Sequence, residues 1–203
     1  WVPTARNREF RSVMRFLDEL IYGLLASRRE SGTTHDDLLD VLLQARDDET
    51  GTGLTDQELR DEVLTILAAG HSTTANALTW TWYLLATHPE AKARFHEELD
   101  RVLHGRTPRF DDLERLPYTR AVLDESLRLY PTAPLIQRRV ATPITIRGVF
   151  LPQGGRVVIN LYNLHRHPDF WPDPDQFLPE RWLNGQRPCS RYAYLPFGAG
   201  PRA

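Results

Sequence analysis

The chain has 203 residues, 41% hydrophobic and 26% charged, with a formal net charge of -2. Those proportions describe an ordinary soluble globular chain able to bury a sizeable core, normally in one domain. The near-neutral balance gives no electrostatic case for nucleic acid or an anionic membrane surface as a partner. No run reaches the roughly 18 apolar residues of a membrane span, and a single cysteine, Cys189, excludes an internal disulfide and a multi-cysteine zinc site.

Only Pro3, Pro89, Pro108 and Pro117 precede residue 130, while the other prolines follow it. Residues 1–130 are therefore expected to be helical, and the rest strands, turns and irregular chain. Phe10, Val13, Leu17, Leu20, Ile21 and Leu24 recur at three- and four-residue spacing, predicting an amphipathic helix over 5–30. A second helix is expected over 36–47. Thr55 and Glu58 form a capping box that opens a pattern running to His88. Pro89 suits the first turn of the next helix, which should run to about Gly105, and a further helix runs from Tyr118 to Tyr130.

Ile144, Ile146, Val149 and Leu151 then alternate, Gln153-Gly154-Gly155 turns, and Val157 to Ile159 continues as strand. The small β region is placed at 131–165. From 166 to 203 no period holds, and so long an irregular stretch is expected only where it is functional. His165 and His167 would share a face on a strand, but Pro168 favours a polar turn over a metal pair.

Four local features carry chemistry, each with a plainer reading beside it. Ala68-Ala69-Gly70-His71-Ser72-Thr73-Thr74 interrupts the long helix with poor helix formers; either the helix breaks there, or small residues and hydroxyls face a flat ligand. Glu125 and Arg128 are helical neighbours, either a solvated pair or part of a buried arrangement. Arg181 sits in Phe177-Leu178-Pro179-Glu180-Arg181-Trp182 and is either a surface arginine or a planar fork for a carboxylate such as Glu125. Pro196 to Pro201 is glycine-rich loop, open to close ligand approach but unlike a phosphate loop.

In this order and placement the four features resemble the signature of the cytochrome P450 family, over essentially the whole chain. The resemblance implies a partial P450 fold, mainly α with a small β region: a single partial domain over 1–203, with 166–203 as coil meander and the start of a haem-binding loop. It makes Ala69 and Gly70 the floor of an oxygen groove and Thr73 the hydroxyl that relays protons there. Glu125, Arg128 and Arg181 become a buried charge network.

The family's haem loop, Phe-x-x-Gly-x-Arg-x-Cys-x-Gly, is matched by Phe197, Gly200 and Arg202. It implies that Phe197 shields a thiolate, that Arg202 binds a haem propionate, and that the axial cysteine stands at the position after Ala203. Arg139 is a candidate for a second propionate contact, with a structural role as its alternative. Cys189 lies outside the motif and is read as an ordinary thiol.

The implied cofactor is haem b with molecular oxygen as co-substrate. The implied activity is monooxygenation of an apolar organic substrate, with electrons from a ferredoxin or flavin reductase, separate or fused. A cytoplasmic location is expected unless an anchor lies upstream, and the piece alone is expected to be inactive. One departure stands out: the acid that usually precedes the threonine is Ser72. A hydroxyl can pass a proton but carries no charge to recruit one. Two alternatives therefore stay open: a peroxide-using haem-thiolate enzyme, and a non-catalytic haem-binding paralogue. Pro134-Leu135-Ile136 is expected to line the substrate pocket.

Overall fold

The computed structural model describes residues 4–183 and 190–200, which divide after Ser72 into two compact units. In the first unit Thr4 caps helix α1 (Ala5–Ser31), accepting the Asn7 N–H at 3.1 Å, and Gly32 ends it at φ 57°. Helix α2 (Leu38–Gln44) is tied back to α1 by Arg28, which bonds both Asp37 and the buried Asp40. Ile21, Leu25, Leu39 and Leu59 form the core of this unit. Of the expected α1 stripe only Ile21 is buried, alongside Leu25, which lay outside it, while Phe10, Val13, Leu20 and Leu24 are exposed. Periodicity identified the helix correctly but not how much of its apolar face is covered.

Helix α3 (Asp56–Thr87) opens on the expected capping box. The Thr55 N–H donates to Glu58 Oε2 at 2.8 Å, and the Glu58 N–H donates to Thr55 Oγ1 at 3.3 Å. It runs without a break through Gly70 and across the boundary between the units, so the helix-break alternative is not realised.

In the second unit the last turns of α3 pack with α4 (Pro89–Leu103) and α5 (Pro117–Leu129). Ala91, Phe95, Glu98 and Val102 are buried at the i, i+4, i+7, i+11 positions of α4, one face of a helix. The helix stops at His104, in the left-handed region at φ 50°, just before Gly105. Leu116 cannot cap α5 with its side chain. Buried Glu98 does so instead, accepting the Tyr118 N–H at 2.8 Å and the Thr119 N–H at 2.7 Å. Leu84, Leu85, Phe95, Tyr118, Val122, Leu129 and Phe177 form the core here.

Among the described residues four strands make two antiparallel pairs. β1 (Leu135–Arg139) pairs with β4 (Arg156–Asn160), in register Ile136 to Ile159 and Arg138 to Val157. β2 (Ile144–Ile146) and β3 (Val149–Leu151) split the expected alternating stretch into a hairpin, and the expected turn at Gln153-Gly154 leads on to β4. The hairpin's turn residues Arg147 and Gly148 both have positive φ, 47° and 79°, the twist that tight hairpins favour. A single helical turn, α6 (Leu161–Leu164), follows β4. The coil beyond it is anchored by buried Trp171, Phe177 and Pro179. The mainly helical class with a small β region is therefore present as expected.

Candidate active site

Tyr118, Val122, Glu125 and Leu129 fall on one face of α5, with Arg128 beside them, so packing that face takes the two charges inside. Both are fully buried. Arg128 forms a fork–fork pair with Glu125, Nε to Oε2 and Nη2 to Oε1, each at 2.8 Å. Its remaining N–H groups reach the carbonyls of His165 at 2.8 Å, Pro174 at 2.6 Å and Gln176 at 2.9 Å. All five guanidinium donors are thereby used. The Glu125 carboxylate also accepts the Leu178 N–H at 3.0 Å, Arg181 Nε at 3.0 Å and Trp182 Nε1 at 2.9 Å. Arg181 reaches on to the carbonyls of Pro172 and Asp173. The structure thus joins Glu125, Arg128 and Arg181, and uses them to hold a coil that has no ladder of its own.

A cavity of about 610 Å3 lies on the other side of α5, within the second unit. Three periodic elements each turn one face to it. α3 contributes Thr73, Thr74, Ala77 and Leu78, and α5 contributes Leu123 and Leu127 one turn apart. β1 contributes Ile136 and Arg138, which are two residues apart and so share one side of a strand. Leu161 and the loop residues Pro196, Phe197, Gly198 and Ala199 complete the wall. The lining is apolar except for the two threonine hydroxyls, Thr132 and one charge, Arg138. Gly198 sits at φ 82°, and a Cβ there would lie 3.5 Å from Ile136 Cδ1. The Phe197 ring is 80% exposed. Flat aromatic and glycine surfaces, apolar walls and a single guanidinium suit a flat, largely apolar ligand with an anionic edge.

Thr73 and Phe197, both singled out in the sequence, meet at this cavity. Thr74, from the same helix segment, and Arg138, which sequence reasoning missed, meet there too. Arg139 falls on the side of β1 away from Ile136 and Arg138, and its guanidinium lies beside Gly154. Period-two alternation from apolar Ile136 points to 138 rather than 139. Of the expected pocket segment Pro134-Leu135-Ile136, only Ile136 lines the cavity, with Thr132 and Ala133. Ala69, Gly70 and Ser72 belong to the first unit; a Cβ at Gly70 would meet nothing within 4 Å. Gly200 adopts φ 108° in the loop and is not part of the cavity wall. Arg202 and Cys189 lie outside the described residues. Among the described residues no group of three His, Cys, Asp or Glu is placed to hold a metal ion, and no helix is long and apolar enough to cross a membrane.

His165 lies in a turn, as expected, but is fully buried, while His167 is half exposed. Burial, with the Arg128 and Arg166 charges nearby, pushes its pKa down to about 4. The unfolded chain takes up a proton on this ring near pH 6.5 while the folded one does not. Stability is therefore full above pH 6.5 and falls by up to about 1.4 kcal/mol per pH unit between 6.5 and 4. Asp37, lowered to about 2 by its hydrogen bonds from Arg28, acts only below that window. Urea midpoints measured from pH 7.5 to 4 should show the slope, and His165→Gln should flatten it. A slope unchanged in the variant would remove this assignment.

Comparison with known proteins agrees with the geometry. The family model "Cytochrome P450" matches residues 1–203. A cyclooctat-9-en-7-ol 5-monooxygenase of Streptomyces melanosporofaciens is 43% identical over 200 residues, covering 98% of this chain and 44% of the relative. The pentalenene oxygenase of Streptomyces avermitilis is 40% identical over 202 residues, covering 99% and 45%. Cytochrome P450 4A2 of Rattus norvegicus is 42% identical over 170 residues, covering 83% and 33%. The chain spans less than half the length of these relatives. With a family match along its whole length, this chain belongs to the cytochrome P450 family.

Proposed function

We propose that the whole protein is a haem-thiolate monooxygenase that inserts one atom of molecular oxygen into an apolar organic substrate, using electrons from a ferredoxin or flavin reductase. The observation that carries this reading is the apolar cavity with Thr73, Arg138 and Phe197 on its walls. Haem b, held by a cysteine thiolate at the position after Ala203, would supply oxygen activation. The two units act as parts of one domain, and the enzyme works in the cytoplasm. The first two relatives are named for oxidising cyclooctat-9-en-7-ol and pentalenene, so the proposed substrate is a hydrocarbon skeleton with little polarity.

The chain's own residues have distinct parts. Leu78, Leu123, Leu127 and Ile136 give the cavity its apolar wall. Arg138 binds an anionic edge of the cofactor, Arg202 is assigned a second such edge, and Arg139 has a structural role. Phe197 and Gly198 form the flat wall, and Gly200 lets the loop turn beyond them. Ala69 and Gly70, without bulk, leave the oxygen groove open, and the Thr73 hydroxyl passes protons into it.

Ser72 can extend that relay but brings no charge. Ser72→Asp should therefore raise the share of consumed reductant that appears as product. Coupling equal to the parent's would show that position 72 does not limit proton delivery. Ser72 also favours a second reading, a peroxide-driven enzyme that needs no relay. Turnover with oxygen, a reductase and a hydrocarbon substrate supports the monooxygenase; turnover with peroxide alone replaces it.

A further inference from the structure

Three consecutive residues at the entry to the cavity loop are each gripped by a different side chain. The Ala193 carbonyl accepts from Trp171 Nε1 at 3.3 Å. The Tyr194 hydroxyl donates to the Asp124 carbonyl at 3.0 Å and to its carboxylate at 3.1 Å. The Leu195 N–H donates to His165 Nε2 at 2.9 Å. The loop turns at once, with the Gly198 N–H returning to the Leu195 carbonyl at 3.0 Å. Leu195 is thus the last gripped residue and the first of the turn that presents Phe197 and Gly198 to the cavity.

Of these grips, His165 has the most direct line to the charge network. Its own carbonyl accepts from Arg128 Nη1, and its N–H donates to the carbonyl of Leu161, itself part of the cavity wall. A continuous path therefore runs from Glu125 through Arg128, His165 and Leu195 to Gly198. Accepting at Nε2 leaves the ring proton of a neutral imidazole on Nδ1, with the Arg128 and Leu127 backbone beside the ring. A leucine of similar bulk would fill the same space but offer no acceptor to the Leu195 N–H, so packing alone does not account for a histidine. The acceptor it offers to Leu195 does.

We propose that His165 is a positioning residue of this site: through Leu195 it sets where Phe197 and Gly198 stand against the bound cofactor. The inference rests on the reading of the cavity as the haem pocket. The charges facing the ring, Arg128 from α5 and Arg166 beside it in the chain, favour its neutral state, and the Glu125 carboxylate is engaged by Arg128 and Arg181. Tyr194 packs against the ring at 5.4 Å, with its hydroxyl turned to Asp124.

The test is amide hydrogen exchange on the whole haem-loaded protein, with the ferrous–carbon monoxide spectrum recorded on the same samples. Gln at position 165 can accept from the Leu195 amide and Leu cannot. In His165→Leu, exchange at Leu195 and Gly198 should rise about tenfold, the size of one hydrogen bond, while the Leu178 amide on Glu125 keeps its protection. The haem–carbonyl band should shift or broaden. His165→Gln should restore both readouts. Unchanged Leu195 exchange in His165→Leu overturns the proposal, as does a Gln variant no better than Leu. If neither variant accumulates folded, His165 is a packing residue and the proposal is likewise overturned. Haem uptake with unaltered exchange counts against the positioning role and not the function; the exchange pattern without haem uptake counts against the function alone.

Discussion

Arg128→Leu should destabilise the whole protein by about 3–5 kcal/mol, enough to unfold many natural domains. The residue is fully buried, and its loss leaves Glu125 inside without its forked partner. It also strips donors from the carbonyls of His165, Pro174 and Gln176. Replacing both members of a buried ion pair by apolar residues is often harmless elsewhere. Here the double variant Glu125→Leu, Arg128→Leu should not recover. The Leu178 N–H, Trp182 Nε1 and Arg181 would lose their acceptor as well. Urea denaturation of both variants checks this, and a double variant near parental stability would show that the coil does not depend on the network.

The second large effect separates neighbouring arginines. Arg138 shares a strand face with Ile136 on the cavity, while Arg139 points the other way toward Gly154. Arg138→Leu should weaken haem retention by about 10- to 100-fold, the range of one charged hydrogen bond, and Arg139→Leu should leave it near the parental value. Haem transfer to an excess of an apo-globin acceptor measures both. Equal losses would mean that strand alternation does not decide which side chain meets the ligand.

Much of the helical architecture can be read from the residues. The Thr55–Glu58 box and Pro89 each mark a helix start, and the alternation of Ile144, Ile146, Val149 and Leu151 marks strand. Local signals suffice there because capping and pleat act over a few residues. Strand β1 was harder: Leu135-Ile136-Gln137-Arg138-Arg139 ends in two charges, and its partners on β4 lie 17 to 25 residues away. Burial was harder still. Glu125 and Arg128 have the spacing of a surface pair, and only the resemblance to a known family suggested that they lie inside. His165 reads as part of a polar turn, yet tertiary packing buries it and gives it the Leu195 amide. Gly70 illustrates the reverse case, a residue with poor helix propensity inside an unbroken helix.

The most direct test is the carbon monoxide difference spectrum of the whole reduced protein. The predicted result is haem uptake with the long-wavelength band of a thiolate-ligated ferrous–carbonyl complex, retained in Arg139→Leu and reduced in Arg138→Leu. No haem uptake, or a band of the histidine-ligated type, would contradict a haem-thiolate site at this cavity.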